Sequence, residues 1–203
     1  MLSTAFTLWG APVTFLEIVA FVLSLACIVC NVREIHWGWP LTIASSALYA
    51  WLFAAGKIYG EASVNVFFAL SGLWGWWQWL YGKRRDETQN EGVLEVERLP
   101  PRYWMHLTLA WLIGWGAIGV LLKNVTDSSV PFFDAFPTMG SVIGTVLLAR
   151  KFVENWPVWV VVNTASIALF AYKQFYLTVL LYGIFTLMAV WGWQRWRTLL
   201  STR

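Results

Sequence analysis

The sequence predicts an all-α membrane protein, with seven transmembrane helices in two parallel three-helix repeats joined by a linker helix, a 3+1+3 plan. Three observations carry that prediction. The 203 residues are 59% hydrophobic and only 12% charged, whereas a soluble domain carries roughly 25% charged residues to cover its surface. Seven apolar segments each come close to the roughly 20 residues that a helix needs to cross a bilayer core. Residues 15–79, moved forward by 117 positions, lie without a gap on residues 132–196.

The segments run over 13–32, 38–56, 60–82, 103–122, 132–150, 155–173 and 175–195. Pro40, Pro131 and Pro157 stand near segment starts, where the missing N–H removes no helical hydrogen bond. Residues 1–11 have no basic n-region and no small-residue cleavage pattern. The piece bearing Leu2, Phe6, Leu8 and Trp9 therefore reads as a short amphipathic interfacial stretch or a fraying end, not a cleavable signal. Between the third and fourth segments, Lys83 to Arg102 holds ten of the 25 charged residues. It reads as an exposed loop with room for a helical piece. The whole is one integral membrane domain: a first repeat over 13–82, a cytoplasmic loop and linker helix over 83–122, and a second repeat over 131–199.

The repeat is dense. Trp39-Pro40 falls on Trp156-Pro157, Leu52-Phe53-Ala54 on Leu169-Phe170-Ala171, and Tyr59 on Tyr176. Phe68 falls on Phe185, Trp74-Gly75-Trp76 on Trp191-Gly192-Trp193, and Trp79 on Trp196, with Ser24 on Ser141 and Arg33 on Arg150 in front. Basic residues orient the chain. With the N-terminus outside, the cytoplasmic side receives Arg33, Lys83, Arg84, Arg85, Arg98, Arg102, Arg150, Lys151, Arg195, Arg197 and Arg203, which are 11 of the 14 Lys and Arg. The outer side receives Lys57, Lys123 and Lys173. By the positive-inside rule the C-terminus is cytoplasmic. An odd helix count in the first repeat plus one linker helix gives both repeats the same polarity, so they are parallel rather than inverted. A duplicated hydrophobic unit of this kind points to a transporter with substrate held between its halves.

Polar groups inside a bilayer need a partner or a task. The candidates are Ser45, Ser46 and Tyr49 in the second segment, Asn65, Ser71 and Gln78 in the third, Asn163 and Ser166 in the sixth, and Tyr182 in the seventh. Ser46 is the repeat mate of Asn163, Tyr49 of Ser166, and Asn65 of Tyr182. Positions polar in both halves but different in residue type suit an asymmetric ligand. For the serines the simpler role is interhelical hydrogen bonding, at about 0.6 kcal/mol each. The two-sided amides of Asn65 and Asn163 are costly to bury idle and read as ligand contacts.

The tryptophans are a second signal. Trp79 and Trp196, with Trp76, fit an aromatic belt at the cytoplasmic boundary. Trp74 and Trp77 sit up to two turns deeper, where a ring can stack on a flat, cationic heterocycle. Cys27 and Cys30 have C-x-x-C spacing but lie deep in an apolar segment without companion ligands, so they read as small buried residues rather than a redox or metal pair. His36 and His106 stand at segment edges with no metal partner at helical spacing. Glu17 and Asp134, which are repeat mates, read as groups at the aqueous boundary. No phosphate-cradling glycine loop and no nucleophile elbow are present, which argues against an enzyme or an ATP-driven pump. No cofactor is expected, and the net charge of +3 is explained by loop topology, not by nucleic-acid binding.

Trp74-Gly75-Trp76-Trp77-Gln78-Trp79 resembles the W-x-x-W-x-W signature of the PnuC transporter family. Trp39-Pro40-Leu41, Lys57-Ile58-Tyr59, Glu154-Asn155-Trp156, Tyr172-Lys173, Tyr176-Leu177-Thr178, Leu181-Tyr182 and Trp196-Arg197 are similar to that family too, so the resemblance covers 13–199. It implies a SWEET-like fold and uptake of nicotinamide riboside across a bacterial inner membrane. The implied mechanism is facilitated diffusion made one-way by cytosolic phosphorylation, in a homotrimer. By position it implies a substrate site in which Trp74, Trp77 and Trp79 occupy the signature and Gln78, Asn65, Asn163 and Tyr182 the polar lining; the repeat-mate reading adds Ser166, Tyr49 and Ser46 to the candidate site. Where this chain has Asn163 the family often has an acidic residue, a departure that bears on selectivity for the cationic pyridinium. Thiamine, riboflavin or a deoxynucleoside are alternative substrates, a simple sugar is another, and a non-transporting membrane scaffold is the remaining class.

Overall fold

The computed structural model describes residues 4–8, 11–55, 59–85, 91–126, 129–172 and 176–201. Of the residues singled out above, Leu2, Trp9, Lys57, Ile58, Lys173 and Arg203 lie outside these. Seven helices follow in chain order: α1 (Phe15–Val32), α2 (Gly38–Ala55), α3 (Tyr59–Tyr81), α4 (Arg102–Val125), α5 (Pro131–Ala149), α6 (Asn155–Tyr172) and α7 (Tyr176–Ser201). They contain 18 to 26 residues, which at 1.5 Å per residue makes them about 27–39 Å long. A hydrocarbon core is about 30 Å thick. Their outward faces are apolar: Leu70, Leu73, Ile113, Leu121 and Leu187 are all exposed. Lipid accommodates such a surface, whereas in water it would drive association. Helices α4 and α5 are each long and apolar enough on their own to be read as membrane spans.

Two short antiparallel ribbons accompany the helices. Strands β1 (Thr4–Leu8) and β2 (Ala11–Thr14) form the first, and β3 (Lys83–Arg85) and β4 (Glu91–Val93) the second. The N-terminal piece, read above as a short amphipathic stretch or a fraying end, thus contains two paired strands. The polar loop also departs from expectation, because Leu94, Val96 and Leu99 are buried. The alternation of Leu94 and Val96 places one side of an extended segment inward, as period-two patterning dictates.

The chain divides into two compact units, 1–93 and 94–203. In the first, α2 packs against both α1 and α3; in the second, α4 to α7 pack in succession, so the linker helix lies against α5. The extended strap at 94–99 is fastened to the α5–α6 corner. Glu97 donates its N–H to the carbonyl of Lys151 at 3.1 Å and accepts from the N–H of Val153 at 2.9 Å. A Glu154 carboxylate oxygen accepts from the N–H of Leu99 at 2.8 Å. Leu99, Ile143 and Leu147 form the buried cluster beneath, flanked by Leu107, Trp111, Met139, Phe152 and Val158.

The repeat persists bond for bond. Helix α1 ends with the N–H of Ile35 on the carbonyl of Cys30 at 2.8 Å and that of Glu34 on Asn31 at 3.2 Å. Helix α5 ends with Phe152 on Leu147 at 2.9 Å and Lys151 on Leu148 at 3.0 Å, the same two bonds 117 residues on. These are the six-to-one and five-to-two bonds of a Schellman cap, whose C′ residue is left-handed. Accordingly Glu34 (φ 56°) and Lys151 (φ 53°) have positive φ.

Candidate functional site

The tryptophans divide into two groups by what holds them. Trp39 meets Trp79 edge to face, with centroids 5.7 Å apart and planes at 84°; the mates Trp156 and Trp196 do so at 5.4 Å and 90°. All four rings are buried, Trp196 completely. A Cβ on Gly75 would run into the Trp39 ring, and one on Gly192 into the Trp156 ring. The glycine of each W-G-W triplet therefore seats the tryptophan of the W-P pair against its own helix. Trp79 and Trp196 are consequently not belt residues at a boundary. They lock α3 to α2 and α7 to α6, each pair adding about 0.5–1.5 kcal/mol beyond burial.

Trp74 and Trp77 differ. They share one face of α3 with Gln78, at spacings of three and four. Both are exposed, Trp77 at 56%, and neither has a ring or hydrogen-bond partner among the described residues. Their ring faces are available for stacking, whereas the Trp79 ring is engaged. Trp76, between them, donates its indole N–H to Nδ1 of His36 at 3.4 Å, and the His36 and Trp37 rings lie 5.4 Å apart. The sequence carries no signal for that histidine contact, because no spacing rule connects residues 40 apart.

The polar candidates also separate. Ser45 is buried and donates to the carbonyl of Thr42 at 3.1 Å, the helix-internal bond of an idle serine. Ser46, Asn163 and Ser166 are equally buried, Asn163 at 5% exposure, yet their side chains have no hydrogen-bond partner among the described residues. Nor do they belong with the buried polar atoms that the fold seals away unpaired, which are Oδ1 of Asn31 and Asn155 and Nε1 of Trp39, Trp111 and Trp156. Asn163 and Ser166 lie three residues apart on one face of α6, as do their mates Ser46 and Tyr49 on α2. Among the described residues, Ser46 and Ser166 make no interhelical hydrogen bond. Tyr49 and Asn65 are half-buried and engaged in contacts of their own. Tyr182 stacks on Phe170 at 5.3 Å and 22° and meets Phe185 edge-on at 5.9 Å, which commits its ring to packing. Gln78 and Ser71 are half-buried on α3.

Cys27 packs its thiol against Oγ1 of Thr42 at 2.8 Å, inside the α1–α2 contact. Among the described residues no group of three or more His, Cys, Asp or Glu stands close enough to hold a metal.

Comparison with known proteins bears on what these residues serve. A family model described as nicotinamide mononucleotide transporter matches residues 14–198. The nicotinamide riboside transporter PnuC of Escherichia coli is 26% identical over 211 aligned residues, covering 92% of this chain and 87% of that protein. The riboflavin/roseoflavin transporter RibM of Streptomyces davaonensis is 25% identical, over 96% of this chain and 90% of its own. The crystal structure of the vitamin B3 transporter PnuC superposes with a TM-score of 0.75 at 25% identity, over 93% of this chain and 83% of that one. Seven apolar helices, buried unpaired polar side chains and a match along nearly the whole length agree: the chain belongs to the nicotinamide mononucleotide transporter family, which comprises membrane transporters and not enzymes.

Proposed function

We propose that this protein takes up nicotinamide riboside across a bacterial inner membrane by facilitated diffusion. The observation that carries the reading is similarity over nearly the whole chain to a protein named for nicotinamide riboside and to a structure named for vitamin B3. The site chemistry agrees with it. A pyridinium ring needs an aromatic face, which Trp74 and Trp77 leave open, and ribose hydroxyls need amide and hydroxyl partners. Asn163, Ser166 and Ser46 are buried without protein partners among the described residues, so a polar ligand recovers bonds that the fold forgoes. Gln78 joins them, while Asn65, Tyr49 and Tyr182, which the fold already engages, enter the proposed set by their repeat positions alone. The two three-helix repeats would alternate in exposing the substrate to either side, and cytosolic phosphorylation would trap it. The charge distribution supports an outside N-terminus and a cytoplasmic C-terminus. By resemblance to the family, the assembly is a homotrimer.

Riboflavin is the second reading, favoured by the likeness to RibM over 96% of this chain. Both join a flat ring system to a hydroxylated five-carbon unit, a ribose ring in one and an open ribityl chain in the other. Ligand-dependent thermal stabilisation of the purified protein separates them, because a ligand that binds only the folded state raises the melting temperature with concentration. Nicotinamide riboside is expected to shift it and riboflavin to leave it unchanged. The reverse pattern moves the substrate to riboflavin, and no shift with either sinks both readings.

A further inference from the structure

Helix α6 gives the candidate site more than its two polar residues. Trp159 stands one turn before Asn163 and two before Ser166, so all three share one side of the helix. Asn163 and Ser166 are buried and Trp159 is half-buried. The exposed residues Val161, Thr164 and Ala168 lie on the opposite side. The flanking positions are spent on neighbours: Val162 closes over Gly140 of α5, and Trp156 locks onto Trp196 of α7. The stripe of Trp159, Asn163 and Ser166 therefore runs along the inward side of α6. A tryptophan of the boundary belt would share its side with the exposed residues instead.

The repeat shows how the ring is accommodated. The mate of Trp159 is Thr42, and the mate of Gly144 is Cys27. The same two positions touch in both halves. In the first, the Thr42 hydroxyl donates to the carbonyl of Gly38 at 2.9 Å and lies 2.8 Å from the Cys27 sulfur, so its polar group is spent inside the fold. In the second, the indole of Trp159 lies over Gly144, where a Cβ would stand 3.0 Å from Cε2 and 3.1 Å from Nε1 of the ring. The Trp159 N–H has no hydrogen-bond partner among the described residues. It is not sealed away either, as the indole nitrogens of Trp39, Trp111 and Trp156 are. A donor that is neither bonded nor sealed is open to an acceptor from outside the protein. Where Thr42 closes its half, Trp159 leaves a donor open one turn from Asn163.

We propose that Trp159 is a further ligand contact of the transport site, donating its indole N–H to a ligand oxygen next to Asn163. The inference rests on the substrate reading above and adds to it a residue that the polar pattern does not single out. The Asn163 amide and the Ser166 hydroxyl both donate and accept, whereas an indole N–H only donates. At its position the stripe therefore selects an oxygen and rejects an N–H group.

Calorimetry on the full-length protein tests it, with nicotinamide riboside or riboflavin, whichever stabilises the wild type. Trp159→Phe keeps a ring over Gly144 and deletes the N–H. Its affinity is expected to fall at least about fivefold, with a ligand-free melting temperature within about 4 °C of the wild type. Trp111→Phe deletes a sealed N–H from a ring over Gly140, one turn earlier on α5, and should leave affinity unchanged. Gly144→Cys with Trp159→Thr installs the first-half contact in the second half. That pair should fold and lose affinity as Trp159→Phe does, and it keeps the test decisive where Trp159→Phe melts lower. Unchanged affinity in Trp159→Phe or in the pair overturns the proposal, as does an equal loss in Trp111→Phe. A wild type that binds neither ligand sinks the substrate reading and this inference with it.

Discussion

At the scale of the residue, one property separates ligand candidates from scaffold: whether the protein already uses the group. The W-x-x-W-x-W stretch looks uniform as a string, yet the Trp79 ring is spent on Trp39 while Trp74 and Trp77 have no partner among the described residues. Asn163→Leu removes a buried amide that finds no protein partner, so the fold should tolerate it and the ligand should not. Calorimetry on that variant is expected to show affinity for nicotinamide riboside reduced at least about tenfold, one good hydrogen bond's worth, with the ligand-free melting temperature kept. Unchanged affinity would remove Asn163 from the site. The glycines of the Trp locks give a second prediction. Gly192→Ala and Gly75→Ala force a methyl into an indole ring, and overpacking of that kind costs roughly 1–3 kcal/mol. Gly183→Ala, also on α7, meets no heavy atom within 4 Å and should be neutral or stabilising by up to about 1 kcal/mol. Thermal melts of the three variants compare ring contact with bare helix propensity, and a destabilised Gly183→Ala would contradict the packing account.

At the scale of the element, the two helix corners put non-glycine residues where a left-handed C′ favours glycine. Replacing Lys151 by glycine relieves the Cβ penalty of roughly 1–2 kcal/mol but adds unfolded-chain entropy of roughly 0.5–1 kcal/mol. Lys151→Gly should therefore be neutral to mildly stabilising, and Lys151→Val, β-branched at positive φ, clearly destabilising in the same melt. The strap adds its own test. Glu154 is the acceptor for the Leu99 N–H, and its mate in the first half is Trp37, which has no carboxylate to offer. Glu154→Ala should speed hydrogen exchange at Leu99 and leave the α1–α2 corner unaffected; unaltered exchange would mean that the buried Leu94, Val96 and Leu99 hold the strap without the carboxylate.

At the scale of the whole molecule, the seven helices were legible because bilayer thickness prescribes both their length and their apolarity. Prolines at Pro40, Pro131 and Pro157 marked starts that the structure places within two residues. The inward strap was present in the text as Leu94-Glu95-Val96-Glu97, but four alternating residues within a stretch of ten charges are easily taken for solvent-facing loop. The Trp79 lock was hidden for a different reason: a tryptophan near a helix end has the same sequence signature whether it faces headgroups or a neighbouring helix, and only the partner Trp39 decides. Substrate charge is a question for the chain as a whole. The family is described by nicotinamide mononucleotide, whereas the relative from Escherichia coli is named for the riboside, and the two ligands differ by a phosphate. Stripping a phosphate of water without a cation to meet it is prohibitive. Among the described residues, the eleven Lys and Arg stand in loops or at helix ends, from Arg33 just after α1 to Arg195 and Arg197 in the last turns of α7, and none lies midway along a helix. The mononucleotide should therefore give no thermal shift at concentrations where the riboside, at about 100 times its dissociation constant, stabilises the fold by roughly 2.7 kcal/mol. Equal stabilisation by both would mean that a loop cation reaches the ligand, and Arg150 and Lys151, at the strapped corner of the second unit, would be the first to replace.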